Sequence, residues 1–198
     1  MKSRIWISCL LLCLCDEITF LLGAGTVRRE PISEAGQVNE DTRLLKDFSD
    51  RVQAYVKLHK RLEASLPPLK PTPDPAKIVS HQQALAKKIQ AARQDAKPGS
   101  IFTPDITERF LRLIRNEFQG PNASHARATL RQGEPVKIRL GVNAGYPKGV
   151  PLTTVPPTLL LNLPRLPPEV EYRIVDHELI LRDIKANLIV DIIPKAIP

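Results

Sequence analysis

Proline constrains the fold of this chain more than any other residue type. Of its 19 prolines, nine fall between Pro147 and Pro198. Proline has no backbone N–H and breaks a helix when it stands in the interior. The C-terminal part therefore cannot form long helices, and the preceding part must supply them. A chain divided in this way predicts an α+β fold.

Two apolar stripes with helical spacing precede the proline-rich part. The first runs from Leu45 to Leu66 in steps of three and four residues, and the second runs from Ile78 to Ala96 in the same steps. A short proline-rich connector joins them, and Asp74 stands where a helix cap is needed. This arrangement predicts an antiparallel helical hairpin. A third amphipathic helix, predicted over residues 104–118, would cover the hairpin.

The stretch EYRIVDHELILRDIKANLIVDIIP, residues 171–194, is dense in β-branched residues and predicts an antiparallel meander. If Asp176 and His177 form a two-residue turn, Glu171 pairs with Arg182 on one face of the hairpin. The same register places four side chains on the opposite, apolar face: Tyr172, Ile174, Leu179 and Leu181.

The third predicted strand, LIVDII, is apolar on both faces. It therefore needs cover from the helices, from the proline-rich segment or from a second chain. Asp183 and Asp191 are expected at a turn and on an exposed strand face. Asp183 in particular is expected to bond the backbone of the turn that follows it.

The N-terminus has the organisation of an export signal. A basic start, MKSR, precedes the apolar run IWISCLLLCLC, and residues 1–25 are predicted to be a signal peptide. An uncleaved anchor is the alternative, although Asp16 and Glu17 interrupt the apolar run. Lipidation at Cys15 is disfavoured because Leu14 stands where a small residue is needed. The chain is therefore expected to be periplasmic or secreted, with membrane contact through an uncleaved N-terminus alone.

The remaining chain divides by composition into three parts. Residues 26–41 are predicted to be a flexible leader, residues 42–119 the helical region, and residues 120–198 a proline-rich segment that forms one domain with the helices. All three cysteines lie within the predicted signal peptide. A mature chain without cysteine excludes disulfides and thiolate metal sites.

The chain carries a net charge of +8, spread along its length. Nucleic-acid-binding proteins usually concentrate basic residues on one face, often beside exposed aromatic side chains. Neither feature is visible here, so nucleic acid is not an expected partner. A diffusely basic surface does favour contact with anionic molecules at long range.

Three stretches carry a resemblance to a known family: FSDRVQAYVKLHKRLEASLPPL, IQAARQDAKPGSIFTPDITERF and LPPEVEYRIVDHELILRDIKANLIVDIIPKAIP. Together they resemble an uncharacterised family of exported bacterial proteins, common in soil bacteria such as acidobacteria, which brings no activity with it. The C-terminal YRIVDHELILRDIKANLIVDII is also similar to the final hairpin of the periplasmic nickel- and cobalt-homeostasis family. This second resemblance implies a periplasmic β-meander and includes no metal ligands.

No motif for catalysis, phosphate binding or metal binding frames the candidate residues. The four histidines form no HxxxH, HxH or HExxH pair, and no GxSxG or SxxK sequence is present. We therefore predict no catalytic residue, no metal site and no cofactor. Weak candidates for binding are Tyr55, His59, Asp105 and His177. His59 lies on the first apolar stripe and is expected to pack there with one hydrogen-bond partner across the hairpin.

These observations favour an exported envelope protein that binds or scaffolds a partner without catalysis. The expected partner is another envelope protein, or a second copy through self-association. The alternative is a hydrolase or metal-dependent enzyme with a site assembled from scattered His and Asp residues. A cleft that holds His59 or His177 together with two carboxylates would favour the enzyme.

Overall fold

Helices come first and strands last in the computed structural model, which describes residues 34–121, 123–130, 140–147, 149–151 and 154–198. Five helices and a three-stranded antiparallel sheet make up these residues, so the predicted α+β class is confirmed. The predicted signal peptide, all three cysteines and residues 26–33 of the predicted leader lie outside the described residues.

The first two helices form the predicted hairpin. Helix α1 spans Glu34–Ala64 and contacts helix α2, which spans Pro75–Ala92. Asp74 caps α2, because its carboxylate accepts a hydrogen bond from the backbone N–H of Ala76 at 2.9 Å. Helix α1 begins at Glu34, eight residues before the predicted start of the helical region at residue 42. The apolar stripe of α2 was predicted to begin at Ile78, but the side chain of Ile78 is 47% exposed and is not part of the buried face.

Three shorter helices follow. Helix α3 spans Pro104–Gln119, helix α4 spans Ala123–Leu130, and helix α5 is the short helical turn Pro157–Asn162. The predicted apolar face of α3 is buried and packs against α1. Phe110, at the middle of that face, makes edge contacts with the rings of Phe48 and Tyr172. Aromatic contacts of this kind join α1, α3 and the sheet in one core.

The sheet has strand order β1, β2, β3, with β1 at Val170–Val175, β2 at Glu178–Asp183 and β3 at Leu188–Ile193. Strand β1 pairs with β2 in the predicted register, from Val175 opposite Glu178 to Glu171 opposite Arg182. Asp176 adopts a positive φ of 54° at the turn, as the two-residue connection requires. The predicted Glu171–Arg182 ion pair is confirmed at 2.5 Å.

Strand β3 contains a bulge that breaks its alternation. Leu181 pairs with Asp191 and Arg182 pairs with Ile189, so Val190 is the extra residue. Val190 belongs to the core beneath the helices, and Asp191 lies opposite Leu181 on the same helix-facing side. Two consecutive residues of β3 therefore point towards the helices.

Both faces of the sheet are covered, as the apolar sequence of β3 requires. The helices cover one face, where Leu179 and Leu181 are buried. On the other face, Ile180 and Ile189 form a second cluster with Tyr146 and its neighbours in the proline-rich segment. The helices and the proline-rich segment thus both supply the cover that was expected.

The segment around residue 145 lies along β3. Gly145 forms a bridge with Leu188, and the N–H of Tyr146 donates to the carbonyl of Asn187 at 2.8 Å. The preceding residues 136–143, VKIRLGVN, have the composition of an extended segment. Residues 136–139 lie outside the described residues, and the pairing with β3 begins at Asn143.

Candidate functional site

Two acids of the C-terminal strands are buried, contrary to the prediction that a turn and an outer strand face would expose them. Asp183 and Asp191 are both 0% exposed. An ionised carboxylate at such a position needs several hydrogen bonds to offset the loss of water. The two aspartates obtain them in different ways, and the difference identifies the candidate site.

Asp191 is held by four backbone N–H groups, three of them from the loop between α2 and α3. One oxygen, Oδ2, accepts from Ile101 at 2.6 Å and from Phe102 at 2.8 Å. The other, Oδ1, accepts from Gly99 at 3.0 Å and from Ile192 at 2.9 Å. Four donors on two oxygens leave no room for a ligand at this carboxylate, and its role is to fix the loop to the sheet.

Asp183 is held mainly by side chains of α1. Its Oδ2 atom accepts a hydrogen bond from the hydroxyl of Tyr55 at 2.6 Å and lies 2.6 Å from Nδ1 of His59. Its Oδ1 atom accepts from the N–H of Ala186 at 2.8 Å. The last contact is the predicted bond to the following turn. The contacts to Tyr55 and His59 were not predicted, and they join two of the candidate residues.

His59 lies between two carboxylates rather than bonding one partner across the hairpin. While Nδ1 faces Asp183, Nε2 lies 3.3 Å from Oε2 of Glu63, one turn further along α1. The second contact is an ion pair without hydrogen-bond alignment. Glu63 also accepts from Nζ of Lys185 at 2.8 Å, on the β2–β3 turn. We call these five side chains the Asp183 network: Tyr55, His59, Glu63, Asp183 and Lys185.

The network changes the acidity of its members. Burial by itself lowers the pKa of His59, but the hydrogen bond to Asp183 and the charges of Asp183 and Glu63 outweigh it, and the pKa is raised. The pKa of Glu63 is lowered, mainly by its hydrogen bond from Lys185, with burial opposing. The two carboxylates therefore favour the imidazolium form of His59 more than water does.

Tyr55 completes the network as a donor. Burial raises the pKa of Tyr55, and the charge of Asp183 raises it further. The phenol consequently stays protonated and donates to the carboxylate. The guanidinium of Arg93 lies over the ring, 5.0 Å from its centroid, and donates to the carbonyl of Val190 at 3.1 Å. Arg93 thus places a cation beside the network without a direct ion pair to it.

A groove of about 970 Å³ opens next to the network, between the end of α1, the start of α2 and the β2–β3 turn. We call it the α1–α2 groove. Its lining is apolar at three exposed positions, Leu69, Ile78 and Ile184, and charged at Lys60, Glu63 and Lys185. Glu63 and Lys185 belong to both the groove and the network. The network therefore fixes part of the groove wall, while His59 behind it has no exposure at all.

The other two candidate residues lie apart from the network. Asp105 is exposed in the first turn of α3 and lines a separate cavity of about 540 Å³ with Glu108, Arg109 and their neighbours. His177 lies in the β1–β2 turn, where Nδ1 is 3.0 Å from the carbonyl oxygen of Ile197 and Nε2 is 3.7 Å from Asp176. The structure thus brings Tyr55 and His59 together, and joins neither Asp105 nor His177 to them.

The network is not arranged to hold a metal ion. Asp183 and Glu63 approach opposite nitrogens of the His59 ring, so the three side chains cannot converge on one ion. Within the described ranges, no group of three or more His, Cys, Asp or Glu residues has metal-site geometry.

The helices of the described residues lack an apolar stretch of the length that a membrane span requires.

Comparisons of the chain with protein-family models, with curated proteins and with solved structures find no match.

Proposed function

We propose that the chain is an exported envelope protein that binds a partner without catalysis, and that the α1–α2 groove is its binding surface. One observation carries the proposal: large apolar side chains converge on the groove although they are exposed to water. Leu69, Ile78 and Ile184 are 43%, 47% and 40% exposed. Single exposed apolar residues are ordinary, but a cluster in one concave surface is typical of a binding site.

An amphipathic helix of another envelope protein is the proposed occupant. A small apolar ligand usually loses most of its surface to an enclosed pocket. The α1–α2 groove is instead open along one side, because most of its lining residues are exposed. A helix with one apolar stripe fits such a surface, since its polar face remains in water.

The Asp183 network supports binding by keeping the groove preformed. Lys185 is attached to Glu63, and Glu63 lies against the buried His59, so the β2–β3 turn is tied to the end of α1. A preformed surface loses less conformational freedom when a partner binds.

The second candidate function is a hydrolase, and the pair of carboxylates around His59 is the observation that favours it. A general base must reach the proton that it removes. His59 is sealed from the groove, and the lowered pKa of Glu63 makes that carboxylate a weak base. Hydrolysis of ester or amide substrates by the purified protein, lost in Glu63→Gln, would favour the enzyme over the binding protein.

Site-specific crosslinking tests the proposed function. A photoreactive amino acid replaces Ile78 in the groove of the full chain, and a control chain carries it at Leu161, which is 85% exposed on α5. We expect a discrete adduct with another protein in the envelope fraction for position 78 and none for position 161. The adduct should disappear with the groove substitution Ile184→Asp, and also when residues 2–25 are deleted and export is prevented.

Several results would contradict this proposal. The same adduct from both positions would show contact without a specific groove. A covalent dimer of the chain would make the occupant a second copy. Recovery of the full chain from the cytoplasm alone would refute export. A thermal melt of Ile184→Asp must match the parent chain, so that loss of the adduct is not loss of folding.

A further inference from the structure

The charge around the α1–α2 groove specifies the partner further. Two lysines and one glutamate line it: Lys60, Lys185 and Glu63. Lys70 and Lys77, which flank the exposed Leu69 and Ile78 in sequence, are also exposed. The ammonium groups that line the groove thus come from two elements, α1 and the β2–β3 turn.

The single glutamate that lines the groove is already engaged from two sides. Its Oε1 atom accepts from Lys185 at 2.8 Å, and its Oε2 atom faces the buried ring of His59 at 3.3 Å. Glu63 therefore has little remaining capacity to attract a basic partner. Glu63 orients the ammonium group of Lys185, from which it accepts a hydrogen bond.

Both lysines can bond a further carboxylate while they keep their present partners. Lys60 pairs with Glu169 at 3.0 Å and Lys185 pairs with Glu63 at 2.8 Å. The two glutamates are only 11% and 29% exposed, but the lysine side chains remain 62% and 59% exposed. Each ammonium group has three N–H donors, so a carboxylate of a bound helix can share it without breaking the existing pair.

We propose that the helix bound by the α1–α2 groove is acidic, with Asp or Glu residues on both sides of its apolar stripe. This inference rests on the proposed function and adds the charge of the partner to it. Apolar residues of the helix pack on Leu69, Ile78 and Ile184, and its carboxylates face Lys60 and Lys185. A second copy of this chain is disfavoured, because each copy carries a net charge of +8.

Two synthetic 18-residue peptides test the inference against the full chain. They share one apolar leucine stripe and differ in the flanking positions, which are Glu in one peptide and Lys in the other. We expect the acidic peptide to bind about tenfold more tightly or better, because two attractive contacts replace two repulsive ones. The difference should shrink as salt rises, since screening weakens exposed charge pairs. Fluorescence anisotropy at low and high salt measures both effects.

Matched charge reversals assign the effect to the groove. The double variant Lys60→Glu/Lys185→Glu should lose or invert the preference for the acidic peptide. The control Lys87→Glu/Lys88→Glu makes the same charge change at exposed positions of α2 outside the groove, and it should keep the preference. Circular dichroism and thermal melts of both variants confirm that they fold.

The outcomes separate this inference from the proposed function. If both peptides bind equally and Ile78→Asp abolishes both, the groove binds helices and the inference on charge is wrong. If neither peptide binds, both proposals fail. Equal effects of the groove and control reversals would make the attraction nonspecific. Binding of anionic phospholipid vesicles, or dimerisation in sedimentation, that disappears with Ile78→Asp would identify a different occupant and overturn the inference.

Discussion

Asp183 and Asp191 make a natural comparison, because both are fully buried carboxylates on neighbouring strands that face the helices. Asp191 is bound by four backbone N–H groups. Asp183 is bound by the phenol of Tyr55 and the imidazole of His59, with one backbone N–H in addition. Two aspartates in the same sheet are thus bound by hydrogen-bond donors of different chemistry.

The difference determines what each carboxylate does. Backbone N–H groups neither titrate near neutral pH nor change with a side-chain substitution, so Asp191 is a fixed anchor for the loop at residues 99–102. Tyr55 and His59 are side chains, and an imidazole can gain or lose a proton. A substitution, or a change in the protonation of His59, can therefore alter the Asp183 network, which reaches the groove at Glu63.

The largest effect is expected from Asp191→Asn. An amide has one oxygen, so it cannot accept four hydrogen bonds, and its NH₂ group would face backbone donors. Loss of a buried, multiply bonded carboxylate costs about 3–5 kcal/mol of the free energy of unfolding. Urea denaturation measures the change. The control Asp95→Asn, at an exposed position, should stay within about 0.5 kcal/mol. Similar losses in the two variants would contradict the anchor role.

Tyr55→Phe should have an intermediate effect. The substitution keeps the ring and its contact with Arg93 but removes the hydrogen bond to Asp183. Hydrogen bonds to charged groups contribute about 1.5–3 kcal/mol to stability. The comparison variant is Tyr146→Phe, which removes a neutral bond from the phenol to the carbonyl of Pro151. That variant should lose about 0.5–1.5 kcal/mol. A smaller loss for Tyr55→Phe would show that Asp183 does not depend on its phenol donor.

The smallest effect is expected in the dependence of stability on pH. The raised pKa of His59 means that the folded protein holds this proton more tightly than the unfolded chain does. The stabilisation is fully present below the ordinary value of 6.5, and it is lost as pH rises through the folded-state pKa. The lowered pKa of Glu63 acts in the opposite sense, and its contribution is lost as pH falls below about 4.5. The free energy of unfolding, measured by urea denaturation from pH 5 to pH 9, should therefore decline on the alkaline side.

Asp183→Asn is the matched variant for that measurement. It removes the hydrogen bond and the charge that raise the pKa of His59, so the alkaline decline should flatten. A decline of unchanged steepness in Asp183→Asn would assign the pH dependence to other groups. Asp183 and Asp191 would then differ in the groups that bind them but not in their effect on the pH dependence of stability.

Much of this fold follows from local patterns. The register of β1 and β2, the hairpin of α1 and α2 and the buried face of α3 are all confirmed, because each is fixed by residues close together in sequence. The burial of Asp183 was also accessible from the sequence. Alternation along β2 places it on the same face as Leu179 and Leu181, the face that packs against the helices.

The burial of Asp191 was not accessible in this way. Strict alternation along β3 would place Val190 and Asp191 on opposite faces of the sheet. The bulge at Val190 instead turns both side chains towards the helices. The Asp183 network could not be predicted from the sequence either, because its central contact, between His59 and Asp183, joins residues 124 positions apart. Tyr55 and His59 lie on an apolar stripe of α1, and nothing in that stripe indicates which acid they contact. The α1–α2 groove depends on the same long-range contacts.

The separation in sequence also governs when the protein can complete its fold. A ribosome releases α1 long before β2 and β3, so Tyr55 and His59 exist first without their carboxylate. The loop at residues 99–102 likewise precedes its anchor by about 90 positions. The helices can form early from local contacts, but the interior stays open until residues 178–193 have emerged.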